Sequence, residues 1–455
     1  RNRIFNMRQE TKDMTSGQPQ PLIIGFAVPM LISSIFQQLY SAVDTLIVSR
    51  YLGSNALAGV GATGMLTFLL LSLALGMGNG GGLIIAQCFG NHDKKKMWQT
   101  IVAMTWLMAV LAVVLSVCGY LLCEPILRML KVPVEVLPYS VSYLKIIFAF
   151  TGGMVIYNWA SSILRSVGDS KTPLYALIAA SFINIGLDLL LIIKFDLGVR
   201  GAAIATVFSQ FISGFICLFV LLRTRDEYGF DKRALFPDAH NMWLVVKTSI
   251  PSTFQSCMIS IGGISVQRLI NSFGADVMAG YTAASKVDSL AIQVILAVGN
   301  ALCVFTGQNI GAGKVDRVKV ALKKSQVLML ISACIIAVCA YVFRFNIMRI
   351  FIDPDDSVLA LEAGAQYLSI VGVAYLICAV MQSYQNVIRG AGDVNTCMVA
   401  GLTELAGKVF FAYLLSPFIG ATGIWLSTPL SWGCGCVIPV VRYYSGKWQY
   451  KKLIE

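Results

Sequence analysis

Twelve stretches of about 20 or more mostly apolar residues follow one another along the chain, near 22–48, 56–86, 98–122, 136–163, 173–194, 201–222, 243–271, 278–308, 321–343, 358–388, 397–416 and 421–444. In hydrocarbon only a helix or a closed barrel can satisfy every backbone N–H and C=O internally, and runs of this length suit helices. The pattern predicts an all-α integral membrane protein of twelve transmembrane helices. Composition agrees, with 57% hydrophobic residues, 13% charged residues and a mean hydropathy of +0.73. A soluble domain carries about 25% charge. The opening RNRIFNMRQETKDMTSGQPQP is polar and runs directly into the first span, so no cleavable signal sequence is visible. A start at Arg1 suggests that the extreme N-terminus is trimmed or altered.

The formal net charge of +12 raises the question of nucleic acid, and the distribution of cations answers it. With the N-terminus taken as cytoplasmic, 23 Lys and Arg fall on the inner side, including Arg1, Arg3, Arg8, Lys12 and Lys94–Lys96. Seven fall outside: Arg50, Arg128, Lys131, Lys194, Arg200, Arg344 and Arg349. That asymmetry is the positive-inside pattern. It predicts a multi-pass protein of the cell membrane with both termini in the cytoplasm, and no nucleic-acid partner.

Other chemistries find little support. The twelve cysteines are scattered singly through apolar spans, and Cys434-Gly-Cys436 lacks metal-finger spacing. His92 and His240, the only histidines, fall in loops, which argues against an intramembrane metal centre or a hydrolase. Gly76-Met-Gly78-Asn-Gly80-Gly81 fits a dinucleotide fingerprint formally, but it sits in an apolar helix with no strand before it. Close helix packing or a local bend is the better reading of those glycines.

The chain also repeats itself. At an offset of 221, Gly53 matches Gly274, Ala58-Gly59 matches Ala279-Gly280, Gly78-Asn79 matches Gly299-Asn300, and Gln87 matches Gln308. Pro29 pairs with Pro251 at 222, and Arg165, Gly168, Asp169 and Thr172 pair with Arg389, Gly392, Asp393 and Thr396 at 224. Each copy holds six spans, an even number, so both copies share one orientation and are expected to be related by an axis along the membrane normal. The predicted organisation is a tail (1–20), a first lobe (21–222), a linker (223–242), a second lobe (243–445) and a second tail (446–455).

Asp44 and Asp188 stand inside predicted spans, where a carboxylate costs several kcal/mol and usually marks an ion path or proton relay. Asp44 lies six residues before Arg50, Asp188 six before Lys194, and Thr206 six after Arg200. Each is therefore roughly 9 Å inside the outer edge, at 1.5 Å per residue. Asn184 lies one turn from Asp188, and Gln37, Tyr40 and Asp44 share one helical face. These groups can meet in one polar chamber, with Asn158 a weaker lining candidate. Oxygen donors from Asp44, Asn184, Asp188 and Thr206 suit a hard monovalent cation. Two carboxylates in low dielectric also repel, so one is expected to hold a proton near neutrality. No cofactor is expected beyond a coupling H⁺ or Na⁺, and no other metal.

QQLYSAVDTLIVSRYLG, the GN…Q..G turn of both copies, and the pair LRSVGDSKTP and IRGAGDVNT resemble the MATE (multidrug and toxic compound extrusion) family across the chain from Met14 onward. The resemblance implies a secondary antiporter that exports organic, often cationic, compounds against H⁺ or Na⁺. Asp44, the Asn184-x-x-x-Asp188 pair and Thr206 match the first-lobe site of its DinF-like subgroup. Pro29 falls where that subgroup has a helix-bending proline; a fixed kink is the alternative.

The second lobe departs from the first. Glu404 and Lys408 align with Asn184 and Asp188 at an offset of 220 and are expected to form a structural or gating ion pair. The position opposite Asp44 holds Val266 or Gln267, and the second-lobe coupling acids of NorM-type relatives are not evident. The motifs Arg165…Asp169 and Arg389…Asp393 read as loop caps and positive-inside anchors, with a role at an inner gate as the alternative. The rivals are a lipid-linked precursor flippase of the same superfamily, which needs a cationic cavity, an integral-membrane enzyme and a passive channel. The expected partners are small organic substrates and the bilayer. A duplicated chain needs no second copy to complete its pathway, which fits a functional monomer.

Overall fold

The computed structural model describes residues 13–130, 132–353 and 357–454. The cations Arg1, Arg3, Arg8, Lys12 and Lys131 lie outside the described residues. Every regular element among the described residues is helical: α1 (Pro19–Leu52), α2 (Ser54–Gly90), α3 (Lys94–Met129), α4 (Leu137–Ala149), α5 (Gly152–Ser166), α6 (Lys171–Leu189), α7 (Gly198–Arg223), α8 (Ala239–Asn271), α9 (Ala275–Gly311), α10 (Val315–Val342), α11 (Arg344–Arg349), α12 (Val358–Ala391), α13 (Val394–Ile419) and α14 (Ala421–Tyr444). Ten of these are by themselves long and apolar enough to cross a membrane.

The α4–α5 pair supplies an eleventh span, bent by 51° where the sequence predicts one continuous helix over 136–163. Thr151, Gly152 and Gly153 make the break. Thr151 Oγ1 donates back to the carbonyl oxygens of Ile147 and Phe148, and Ser116 Oγ donates to the carbonyl oxygens of Phe148 and Ala149 at 2.7 and 3.0 Å. A side chain inserted into the helical ladder beside glycines is a known cause of such kinks. Helix α8 has 33 residues and the length of a span, but it carries Lys247, Thr248, Ser249, Ser252 and Thr253 in its first half. These helices together account for all twelve predicted spans.

The chain divides into two compact units. Val28–Thr253 form the body of the first, and Met14–Ala27 with the chain from Phe254 onward form the second. Both borders differ from the predicted lobes, and both fall beside the paired prolines, Pro29 in α1 and Pro251 in α8. In the first unit, Trp98 and Trp106 of α3 donate their indole N–H groups to the carbonyl oxygens of Ala234 and Leu235 at 3.1 Å, which ties the largely exposed linker to α3. In the second, the segment before α1 is clasped by polar side chains. Met14 N–H donates to Gln308 Oε1 at 2.9 Å, Asn309 to Met14 O at 3.1 Å, Lys314 to Thr15 O at 2.9 Å, and Arg317 to Gly17 O at 2.9 Å.

The first unit's core runs through Ile47, Val48, Tyr143, Ile147, Ala202, Ala203 and Val207, which brings α1, α4 and α7 together. In the second unit α12 is the central element and packs against α9, α10 and α14.

Candidate functional site

Local sequence explains why α6 and α7 present polar groups at one place. Directly after Asp188, α6 ends in a π-helical turn, Leu190–Lys194, and such turns recur at functional sites. Gly201 lets α7 approach this turn, since a Cβ there would sit 3.2 Å from the Leu191 backbone. Ala202, Ala203 and Ala205 follow, each fully buried, and Thr206 comes next. Close approach through small residues is how helices pack inside a bilayer.

Four predicted residues converge. Asp188 and Asn184 are fully buried, and Asp44 and Thr206 are 8% and 7% exposed. The Asp44 and Asp188 carboxyls lie within hydrogen-bonding reach of one another. Two carboxyls can share a hydrogen bond only if one carries a proton, or they can share a cation in its place. With its amide oriented to satisfy both neighbours, Asn184 donates to Asp188 Oδ2 at 3.1 Å and accepts from the Thr206 backbone N–H at 3.2 Å. Tyr40 donates to Thr206 Oγ1 at 3.5 Å, so it joins the cluster from α1. The Oδ1 atoms of Asp44 and Asp188 are both buried, and no hydrogen-bond donor of the protein reaches either. Unmet buried acceptors are costly, and here two neighbouring acids carry one each.

Other candidates stand apart. Gln37 is exposed, and no hydrogen bond joins it to the cluster. Asn158 is buried on α5 and donates to Met154 O of its own helix at 2.8 Å. Pro29 is 15 residues from Asp44 along α1, about 22 Å, and its carbonyl oxygen accepts from Ser33 Oγ at 2.8 Å. The expected ion pair of Glu404 and Lys408 is not formed. Glu404 Oε1 accepts instead from Trp432 Nε1 at 3.1 Å, and Lys408 stays beyond the 4.0 Å of an ion-pair contact. An indole N–H across from α14 satisfies the acid without requiring the lysine to fold back along its own helix.

Of the two repeated loop motifs, the first acts as a helix cap and the second as an ion pair. Asp169 accepts from the N–H groups of Lys171 and Thr172 at 3.0 Å and from Thr172 Oγ1 at 2.6 Å, at the start of α6. Asp393, at the start of α13, pairs with Arg442 Nε at 2.6 Å, and Arg389 donates to Gln255 Oε1 at 2.9 Å.

Two residues were not singled out by sequence reasoning. Tyr143 of α4, 7% exposed, lies near Thr206 and both acids. Its signal is weak, because a tyrosine in an apolar span is usually core. Asp288 of α9 is the more visible omission, an acid within a predicted span. Tyr367 donates to its Oδ2 at 3.1 Å and Tyr375 to its Oδ1. Glu404 and Lys408 complete this second polar centre, with Lys408 near both acids. Beside it Tyr281 stacks on Trp425 at 5.5 Å, with Tyr367 edge-on to both.

Comparison with known proteins fits this geometry. The family model described as MatE matches the chain twice, over residues 29–190 and 251–414, which reproduces the internal repeat. The chain is 30% identical over 439 residues to "Probable multidrug resistance protein YoeA" of Bacillus subtilis (strain 168), covering 94% of each chain. It is 29% identical over 442 residues to "Probable multidrug resistance protein YpnP" of the same organism, covering 97% of this chain and 98% of that one. Among solved structures, a MATE protein in the bent conformation aligns with a TM-score of 0.90 at 22% identity, over 97% of this chain and 98% of that one.

Proposed function

Because the chain belongs to the MATE family of transporters, we propose that it is a secondary multidrug antiporter of the DinF-like type. It exports organic, often cationic, compounds by alternating access, and Asp44 and Asp188 are its coupling groups. The relatives named as multidrug resistance proteins support the substrate class. The observation that carries the coupling is the pair of buried, adjacent carboxyls, each with an unmet Oδ1.

Protons are the coupling ion in this reading. A single proton bridges two adjacent carboxyls, whereas a bare Na⁺ needs several free oxygens. Asn184's oxygen is already engaged by the Thr206 N–H. Protonation and substrate binding then favour different states, and that difference in affinity couples the fluxes. We place the protein in the plasma membrane with both termini cytoplasmic, on the strength of its cation distribution.

The test is substrate efflux from proteoliposomes with pH and Na⁺ gradients imposed separately, for wild type and Asp44→Asn. Export driven by the pH gradient and lost in the variant is the expected result. Concentrative export unchanged in Asp44→Asn would remove the carboxyl pair from the mechanism.

A further inference from the structure

A groove on the first unit, remote in sequence from the carboxyl pair, has its own charge logic. It has a volume of about 420 Å³ and is lined by Tyr120, Leu121, Glu124, Pro125 and Arg128 of α3 and by Lys145 of α4. Arg128 donates through Nε and Nη2 to Glu124 Oε1 at 3.2 and 2.8 Å. Lys145 Nζ lies 3.8 Å from Glu124 Oε2 and 5.6 Å above the Tyr120 ring. Two cations therefore share one carboxylate, and the groove keeps one uncompensated positive charge.

Its surroundings are those of a lipid-facing surface. Val113, Val117 and Leu121 form an i, i+4, i+8 stripe on α3, and they are 63%, 54% and 66% exposed. Lys145 lies eight residues into α4 from Leu137, about 12 Å at 1.5 Å per residue. Its side chain is 38% exposed and that of Arg128 is 64% exposed. A cation held at this depth against lipid is costly unless it snorkels or meets an anion. The guanidinium fork and the ammonium face the same groove, a donor set suited to phosphate.

We propose that the groove binds the phosphate of a membrane phospholipid at Arg128 and Lys145, with an acyl chain along the Val113–Val117–Leu121 stripe. Glu124 fixes the guanidinium and at the same time opposes the phosphate, so it sets the affinity rather than supplying it.

The test uses delipidated, detergent-solubilised full chain. It is titrated with phosphatidylglycerol, with diacylglycerol of the same acyl chains, and with inorganic phosphate as competitor, and bound lipid is counted by native mass spectrometry. Phosphatidylglycerol is expected to saturate a site that diacylglycerol does not fill and phosphate does not empty. Lys145→Gln and Arg128→Gln each weaken it by roughly fivefold, the effect of one basic residue near an anionic headgroup. Glu124→Gln tightens it, a change of opposite sign that misfolding cannot produce. Equal binding of the two lipids, displacement by inorganic phosphate, or unchanged affinity in the two cation variants would each overturn the proposal.

Discussion

Replacing Gly80 by Ala tests how the first unit is assembled. Helix α8 lies so close to α2 that a Cβ on Gly80 would stand 2.5 Å from Ser249 Cα and 2.6 Å from its backbone nitrogen. One on Gly76 would overlap the Thr253 backbone in the same way. Ordinary contact between carbons begins near 3.5 Å, so the helices must part by about 1 Å, and the obstruction is backbone that no rotamer change can move. Overpacking of this kind costs about 1–3 kcal/mol. The separation also stretches Thr248 Oγ1 to Gly80 O, now 3.2 Å, and Ser249 Oγ to Met77 O, now 3.3 Å, worth about 1 kcal/mol each. The helix propensity gained by leaving glycine offsets about 1 kcal/mol. The net expectation is a loss of about 2–4 kcal/mol, read as denaturant or thermal unfolding in detergent. Gly64→Ala is the control: it lies in the same helix with nothing within 4 Å of its added methyl, and should be neutral or slightly stabilising. Gly80→Ala as stable as Gly64→Ala would refute the close-packed seam.

A double-mutant cycle on Glu404→Gln and Lys408→Gln should give a coupling energy below about 0.5 kcal/mol, since Glu404 is bonded to Trp432; unfolding of the four proteins in detergent measures it. Arg442→Gln strands Asp393, whose side chain is 6% exposed, and should destabilise by about 2 kcal/mol, the scale of a charge-assisted hydrogen bond, in the same assay. Asp288→Asn weakens two tyrosine hydrogen bonds and should lower stability by about 2 kcal/mol while leaving coupled export in proteoliposomes intact.

Much of this protein was readable from hydropathy alone, because a bilayer leaves the backbone so few options. The twelve spans followed from apolar run length, the duplication from residues matching at an offset near 221, and the shared depth of Asp44, Asn184, Asp188 and Thr206 from counting along helices. What was not readable depended on partners distant in sequence. Linear depth placed Glu404 and Lys408 on one face, but it held no information that Trp432 of α14 would offer a better-placed donor. The borders of the compact units were not readable because apolar runs do not reveal which half of α1 or α8 packs where; the Met14 clasp and the Gly76–Gly80 seam belong to that packing. Asp288 was legible by the same rule that found Asp44, but Lys286, two residues away, gives its surroundings the look of a polar helix end.

The two copies have diverged in a way that bears on where ions act. At an offset of 221 the counterparts of Gly76 and Gly80 are Ala297 and Ala301, so the glycine seam belongs to the first copy alone. The acids differ in kind as well. Asp288 receives a phenolic hydrogen bond on each carboxyl oxygen and has Lys408 nearby, so both its oxygens are answered by the protein itself. Asp44 and Asp188 face each other with no basic side chain among their partners and with one buried oxygen apiece unmet. An exchange site must gain from binding an ion and tolerate losing it, and only acceptors left unanswered by the fold have that gain to offer. On the proposed reading, this criterion assigns the exchange of ions to the first unit, whose carboxyls are left unanswered, and a structural role to Asp288 of the second.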